Sequence, residues 1–268
     1  VPDLITSSAN PVVKRMRLLA ERKHRRREGA FVVQGIQPVW QAVEAGAAIE
    51  TLIVAPGLLG SSPAGPMIAG QEARGVRVIR VSDELFGRLS GREGPSGLAA
   101  IVHGRLAVLG GLPAGPGSVF VALHEIGNPG NLGTIIRTAN AAGASGVVLL
   151  GQATDPFDPV AVKASMGALF STPVSQAEPD EFFAWAARRQ IAVVTTSAKA
   201  RQSFWGASYP RPLALLLGAE GAGLPGPVLA RGDLQVSIPM TGTAESLNLA
   251  VAAGLLLYEV RRQGGGLA

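Results

Sequence analysis

Val119-Phe120-Val121-Ala122-Leu123-His124, followed at once by Glu125-Ile126-Gly127 and then by Asn128-Pro129-Gly130-Asn131-Leu132-Gly133-Thr134-Ile135-Ile136-Arg137-Thr138, is the stretch on which the fold turns. Its first five residues are apolar without alternation, as in a strand buried on both faces of a parallel sheet. Pro129 and Gly130 mark a sharp turn, and residues 131–142 recur at helical spacing. Strand, sharp turn and helix in that order open an α/β unit.

Working outward toward the C-terminus, the same alternation continues. Strands are predicted at 146–150, 191–196, 213–217 and 234–238, and helices at 160–169, 182–190 and 246–262. Alternation this regular predicts a mostly parallel sheet covered on both faces, with ligands gathered at the carboxyl ends of its strands. Three segments fall at such ends: 128–138, then Leu217-Gly218-Ala219-Glu220-Gly221-Ala222-Gly223-Leu224, then Ile238-Pro239-Met240 with Ser246-Leu247-Asn248.

Toward the N-terminus, residues 109–117 hold four glycines and two prolines and read as a linker. Before it, strands at 31–34, 49–55, 76–81 and 97–102 and helices at 36–45, 65–74 and 83–89 form a smaller α/β/α unit. The expected division is a first domain at 1–106, a linker at 107–117 and a second domain at 118–268.

Composition limits the function. The chain has 268 residues, 47% of them apolar, enough for packed cores in one large or two medium domains. Its longest apolar run, near 249–258, is shorter than the roughly 20 residues of a membrane span, so no membrane partner is expected. With no cysteine and no charged leader ahead of an apolar stretch, the expected compartment is the cytoplasm. His24, His103 and His124 are scattered without thiol companions, so no metal site is expected.

The net charge of +5 is unevenly placed. Residues 1–117 carry 14 Lys/Arg against 9 Asp/Glu, and 118–268 carry 10 against 10. Lys14, Arg15, Arg17, Arg22, Lys23, Arg25, Arg26 and Arg27 fall within 14 residues. Such density attracts phosphates and releases counterions on binding, although a solvated helix face is the plainer alternative. Lys14, Arg15, Arg22, Lys23, Arg25, Arg26 and Arg27 are therefore the candidate nucleic-acid phosphate contacts. Their segment reads as helical, with Asn10 as cap and Pro11 at the first position.

Each turn also has a plain structural explanation. Gly130 and Gly133 are ordinary turn residues, Glu220 sits where a helix-start acid would fall, and Ser246 is a preferred cap for the closing helix. Arg137, inside a small and apolar helix, needs a partner: either an ion pair such as Glu220 or a phosphate held in the crevice. Asn248 is expected one turn into the last helix, where its amide must also find partners.

In combination, N-P-G-N-L-G-T-I-I-R-T-A at 128–139, G-A-E-G-A-G-L at 218–224, and I-P-M at 238–240 with S-L-N-L-A-V-A at 246–252 resemble the three motifs of the SpoU or TrmH family of RNA 2'-O-ribose methyltransferases, of the SPOUT superfamily. Lys163-Ala164-Ser165-Met166-Gly167-Ala168 extends the likeness, which covers 118–262. Residues 1–105, with E-G-x-x-x-V-x-G at 28–35, resemble the L30e-like substrate-binding domain that many members carry, with Gln34 and Pro38 departing from its usual pattern.

The resemblance implies a deep trefoil knot near the C-terminus, a homodimer formed through the second domain, and S-adenosylmethionine as cofactor. It places Thr196, Leu217, Gly218, Gly223, Ile238, Met240, Ser246 and Leu247 at the cofactor, and Asn131, Arg137, Glu220, Ser246 and Asn248 at the chemistry. The reaction it implies is in-line attack of a ribose 2'-hydroxyl on a sulfonium methyl, in which alignment and activation of the hydroxyl matter most. Arg137 would activate the hydroxyl or anchor the neighbouring phosphate, since a guanidinium with pKa above about 12 is a poor base. The expected substrate is 23S ribosomal RNA, and some relatives of this architecture protect ribosomes against antibiotics. Transfer RNA, or RNA binding without catalysis, are the alternatives. A nucleotide-dependent oxidoreductase is disfavoured by the missing G-x-G-x-x-G.

Overall fold

In the computed structural model, residues 4–60, 62–90 and 94–264 are described. The chain divides into two compact units, Val1–Arg105 with Phe157–Phe170, and Leu106–Pro156 with Ser171–Ala268.

The first unit opens with α1 (Pro11–Leu18), where Asn10 accepts a hydrogen bond from the Val12 amide and Pro11 stands at the first helical turn, as expected. Then follow α2 (Arg22–Glu28), β1 (Ala30–Gln34), α3 (Ile36–Glu44), β2 (Ala48–Val54), α4 (Pro56–Leu59), α5 (Ala64–Ala73), β3 (Arg77–Arg80), α6 (Asp83–Ser90) and β4 (Leu98–His103). The strands form one sheet in the order β1-β4-β2-β3. Strand β4 runs antiparallel to both neighbours, and β2 and β3 are parallel. Val13, Met16 and Leu19 bury against Val32, Ile101, Leu85 and Phe86, so the apolar face of α1 helps to close this core.

The second unit contains β5 (Val119–His124), α7 (Pro129–Ala141) and β6 (Gly146–Leu150). The chain then visits the first unit through α8 (Pro159–Ala164) and returns for β7 (Val174–Ala177), α9 (Pro179–Arg188), β8 (Ala192–Thr196), β9 (Gln202–Ser203), β10 (Leu213–Leu217), α10 (Gly226–Leu229), β11 (Leu234–Ser237) and α11 (Leu249–Gln263). Its seven strands lie in the order β7-β6-β5-β10-β8-β11-β9, and every pairing is parallel. Every residue of β5, β6 and β10 is buried, which is why those strands are apolar without alternation.

Three expectations are corrected here. Residues 157–170, assigned from the sequence to the second domain, pack in the first unit. Phe157 stacks on Phe31 with ring centroids 4.7 Å apart, and Arg25 reaches Asp158 at 3.4 Å. The predicted helix 160–169 ends at Ala164, because Met166 and Gly167 turn into the left-handed region with φ of 50° and 93°. The last helix begins at Leu249, three residues later than expected. Its cap is Asn248, whose side-chain oxygen accepts from the Ala250 and Val251 amides, and Ser246 lies before the helix. Strands β7 and β9 were also unforeseen, being short and rich in Ser and Gln. No described helix is long and apolar enough to cross a membrane.

Candidate active site

A cavity of about 570 Å3 opens at the carboxyl ends of β8, β10 and β11 and against the start of α11. Its size falls within the roughly 300–1,000 Å3 usual for small-molecule sites. Thr196, Leu217, Gly218, Gly223, Ile238, Met240, Ser246 and Leu247, the expected cofactor residues, all line it. Ser197, Ala198, Glu245, Leu249, Ala252 and Leu256 line it too and were not anticipated. Ser197 and Ala198 could have been found, since they directly follow a parallel strand whose end was already suspected.

The wall at 218–224 is a closed turn. The Gly223 amide donates to the Ala219 carbonyl at 2.9 Å, and Gly221 and Gly223 hold φ of 79° and 68°. A Cβ at Gly218 would overlap the backbone of Gly223 and Leu224, so only glycine lets the two sides of the turn close. The cavity therefore presents backbone and apolar side chains at Leu217, Ile238, Leu249 and Leu256, with carboxylates at Glu220 and Glu245. That set suits a nucleoside with an apolar base face and a cationic group.

The three motifs meet in a chain of hydrogen bonds. Asn131 Nδ2 donates to Glu220 Oε1 in a short contact, and Asn248 Nδ2 donates to Asn131 Oδ1 at 3.1 Å. Asn128, capping α7, accepts from the Gly130 and Asn131 amides at 2.8 and 3.2 Å and so fixes the turn that carries Asn131. The partners demanded of the Asn248 amide are thus identified: its oxygen caps α11 and its nitrogen reaches α7. Glu220 also borders a second depression, lined by Glu125, Gly127, Asn128, Pro129 and Ala219.

Arg137 stands apart. It is exposed on α7, does not line the cavity, and the Glu220 carboxylate that was its possible ion-pair partner is taken by Asn131. No Lys or Arg lines the cavity among the described residues.

The basic segment needs correction. Arg25 was expected to contact RNA, but it is 4% exposed and donates to the Leu19 and Ala20 carbonyls at the end of α1, besides its pairing with Asp158. Arg15 is drawn to Glu28 at 2.8 Å and, in a shorter contact, to Glu50. Its hydrogen bonds hold both carboxyls below the usual glutamate value. Lys23 pairs with Glu21 at 3.0 Å and Arg27 with Glu28 at 3.0 Å, although both cations are largely exposed. Lys14, Arg22 and Arg26 are exposed on α1 and α2. The acids that were missing from the local sequence come from β2 and from 157–170, which only folding brings near.

Against known proteins, the SpoU rRNA methylase family matches residues 118–258, and an MRM3-like substrate-binding domain matches residues 10–100. An S-adenosylmethionine-bound rRNA methyltransferase from Sinorhizobium meliloti superposes with a TM-score of 0.90 at 35% identity, covering 99% of each chain. A 23S rRNA (uridine(2479)-2'-O)-methyltransferase from Streptomyces viridochromogenes is 34% identical over 92% of this chain and 87% of its own. The 23S rRNA (guanosine(2553)-2'-O)-methyltransferase RlmP of Bacillus subtilis is 28% identical over 96% of this chain and 98% of its own. With the motif residues gathered around one cavity and likeness running the length of the chain, the protein belongs to the SpoU rRNA methylase family of S-adenosylmethionine-dependent RNA 2'-O-methyltransferases.

Proposed function

We propose that this chain methylates a ribose 2'-hydroxyl of 23S ribosomal RNA, with 196–198, 217–223 and 238–249 holding the cofactor and Asn131, Glu220 and Asn248 ordering the lip of its cavity. The observation that carries the reading is the Asn248–Asn131–Glu220 chain, which ties all three motifs to one edge of one cavity. The 23S target is supported by the two relatives named above, which match over most of both chains. Those relatives act on different bases, so the shared architecture leaves the base open.

S-adenosylmethionine supplies a methyl group on a sulfonium centre. Gly218 and Gly223 let backbone approach the nucleoside, while Leu217, Ile238 and Leu249 exclude water from it. Asn131 is held from both sides, by Glu220 and by Asn248, and its rigid placement orients the incoming ribose. Ser246, at the cavity wall, is a further hydroxyl within the same edge.

The reading includes a homodimer. Val251, Leu255 and Tyr258 are 52%, 41% and 49% exposed and recur at helical spacing on α11, an apolar stripe that a second copy would cover. The stripe adjoins α7, because a Cβ at Gly254 would sit 3.6 Å from Thr138 Cγ2. Arg137, one residue earlier, is exposed on α7 and would enter the second copy's cavity, which no Lys or Arg lines among the described residues. There a guanidinium would hold the phosphate beside the reacting ribose and stabilise the forming alkoxide. The reading also includes the expected trefoil knot, with which the sheet order is consistent.

The test is ribose-methylation mapping after incubating the protein, S-adenosylmethionine and unmodified total RNA. One new methylated ribose in 23S RNA is expected. Labelling of transfer RNA would move the substrate to the alternative, and no labelling without cofactor binding would leave an RNA-binding protein.

A further inference from the structure

Trp205 is 65% exposed, whereas Trp185 is 2% exposed and Trp40 is tied to Glu44 by its indole nitrogen. A large exposed aromatic ring offers a flat face on which a ligand can stack. The loop that carries it is firmly fixed. Phe204, 2% exposed, anchors the base of the ring with centroids 4.9 Å apart. Its amide donates to the Ser237 carbonyl at 2.9 Å, its carbonyl accepts from the buried Tyr209 hydroxyl at 2.8 Å, and Gly206 closes the turn onto the Ser203 carbonyl at 3.1 Å. Burial, with Glu259 adding to it, pushes the Tyr209 phenol up to about 12, so that anchor stays protonated through the neutral range.

The position of the ring is informative. Strand β9 pairs with β11 in register Gln202 with Val236 and Ser203 with Ser237. The chain beyond Ser203 therefore leaves the sheet beside the chain beyond Ser237, and Ile238 and Met240 line the cofactor cavity. On the other side of β9, the preceding loop begins with Thr196, Ser197 and Ala198, also in the cavity wall. Trp205 thus emerges at the cavity end of the sheet, on its edge strand, beside the 238–240 stretch that helps to build the cavity.

The chain just ahead of the ring is positively charged. Residues 197–206 contain Lys199 and Arg201 and no Asp or Glu. Lys199 and Arg201, just ahead of the ring, are exposed. A flat aromatic face beside two exposed cations matches a nucleic-acid strand, in which bases stack and phosphates follow the positive groups.

We propose that Trp205 is a stacking platform for an unpaired base of the RNA flanking the methylated nucleotide, with Lys199 and Arg201 holding the adjoining phosphates. The site takes single-stranded RNA or a loop, because a paired base offers no free face. This rests on RNA being the substrate, yet its binding test needs no methyl donor, so the two can fail separately.

Titrating the protein with a short oligouridylate should quench the indole emission. Trp40→Phe should keep that quench and Trp205→Phe should lose it. In methylation assays Trp205→Ala should raise the KM for RNA about tenfold while kcat and S-adenosylmethionine affinity stay within about twofold, and Trp205→Phe should recover most of the loss. Lys199→Ala with Arg201→Ala should reduce the salt slope of oligouridylate binding by about 1.4. An undiminished quench in Trp205→Phe, or a wild-type KM in Trp205→Ala, overturns the proposal. So does dissociation of Trp205→Ala in sedimentation with unchanged RNA affinity, which would make the ring a protein contact.

Discussion

The basic segment of the first unit and the turn cluster of the second were both conspicuous in sequence, and folding treated them in opposite ways. Of the seven candidate phosphate contacts at 14–27, Arg25 is buried on helix-end carbonyls and Arg15 is bound by Glu28 and Glu50. In the second unit, Asn131, Glu220 and Asn248, each explicable alone as a turn or cap residue, join across 117 positions of sequence into one chain. A long cation can be captured by any acid that the fold brings within reach, so local charge density overstates what is free to bind. Short polar side chains at the ends of parallel strands have their positions set by the sheet, so motif spacing transfers well into space.

The sharpest way to break this contrast is at Arg137. Arg137→Ala should lower kcat by about 10²–10³ with S-adenosylmethionine affinity unchanged by calorimetry. Gly218→Val should abolish cofactor binding, since any side chain there overlaps the 223–224 backbone. If Arg137 serves the second copy, mixing these two inactive variants should restore activity through hybrid dimers that hold one complete site. Mixtures that stay dead while hybrids form would place Arg137 at its own cavity.

The next effect separates structural from phosphate-binding cations. Arg25→Ala should destabilise the protein by about 2 kcal/mol, because the Leu19 and Ala20 carbonyls lose their donor, while the salt slope of RNA binding stays as in wild type. Arg26→Ala should do the reverse: stability unchanged, and a salt slope lower by about 0.7–0.9. Equal salt slopes for the two variants would erase the distinction drawn above.

Asn248 can be divided by chemistry. Asn248→Ala should cost about 1 kcal/mol of stability through loss of the α11 cap, and catalysis should fall as Asn131 loses a partner. Asn248→Asp keeps a capping oxygen but cannot donate to Asn131 Oδ1, so it should retain the melting temperature and still lose kcat. Loss of both in the Asp variant would mean that the cap, not the link, controls the site.

The smallest effect is acid sensitivity. Arg15 holds the Glu28 and Glu50 carboxyls below their ordinary value. Their contribution is therefore present above the unfolded glutamate pKa of about 4.3 and is lost as pH falls through the lowered folded values. Melting temperatures of wild type and Arg15→Ala should differ above about pH 5 and converge progressively as pH falls below the unfolded glutamate value. Both carboxylates are partly exposed, which keeps the difference modest. A gap that persists into acid would show that Arg15 acts by packing rather than charge.

Much of the fold was legible because its signals are local. Unbroken apolar runs at 119–123, 147–150 and 213–217 reported strands buried on both faces, and the glycines of 218–224 reported a turn, in which Gly218 has no room for a Cβ. The missed strands β7 and β9 have no such run. The break of α8 at Ala164 was masked by continuing helical periodicity, and Ser246 was favoured as a cap although Asn248 serves equally well. The assignment of 157–170 to the first unit had no local signal, since Phe157 and Phe170 pack on Phe31 far away in sequence.

By itself, then, the sequence determined the α/β alternation, because strand burial and glycine turns depend on neighbours a few positions away, and its motifs carried the resemblance to the family, which singled out eight residues that line one cavity. Only the tertiary structure decided which cations are spent internally, that Asn248 both caps α11 and holds Asn131, that Arg137 stands outside its own cavity, and that Trp205 emerges at the cavity end of the sheet. Those are questions of which distant groups come within hydrogen-bonding or stacking distance, and no periodicity along the chain encodes them.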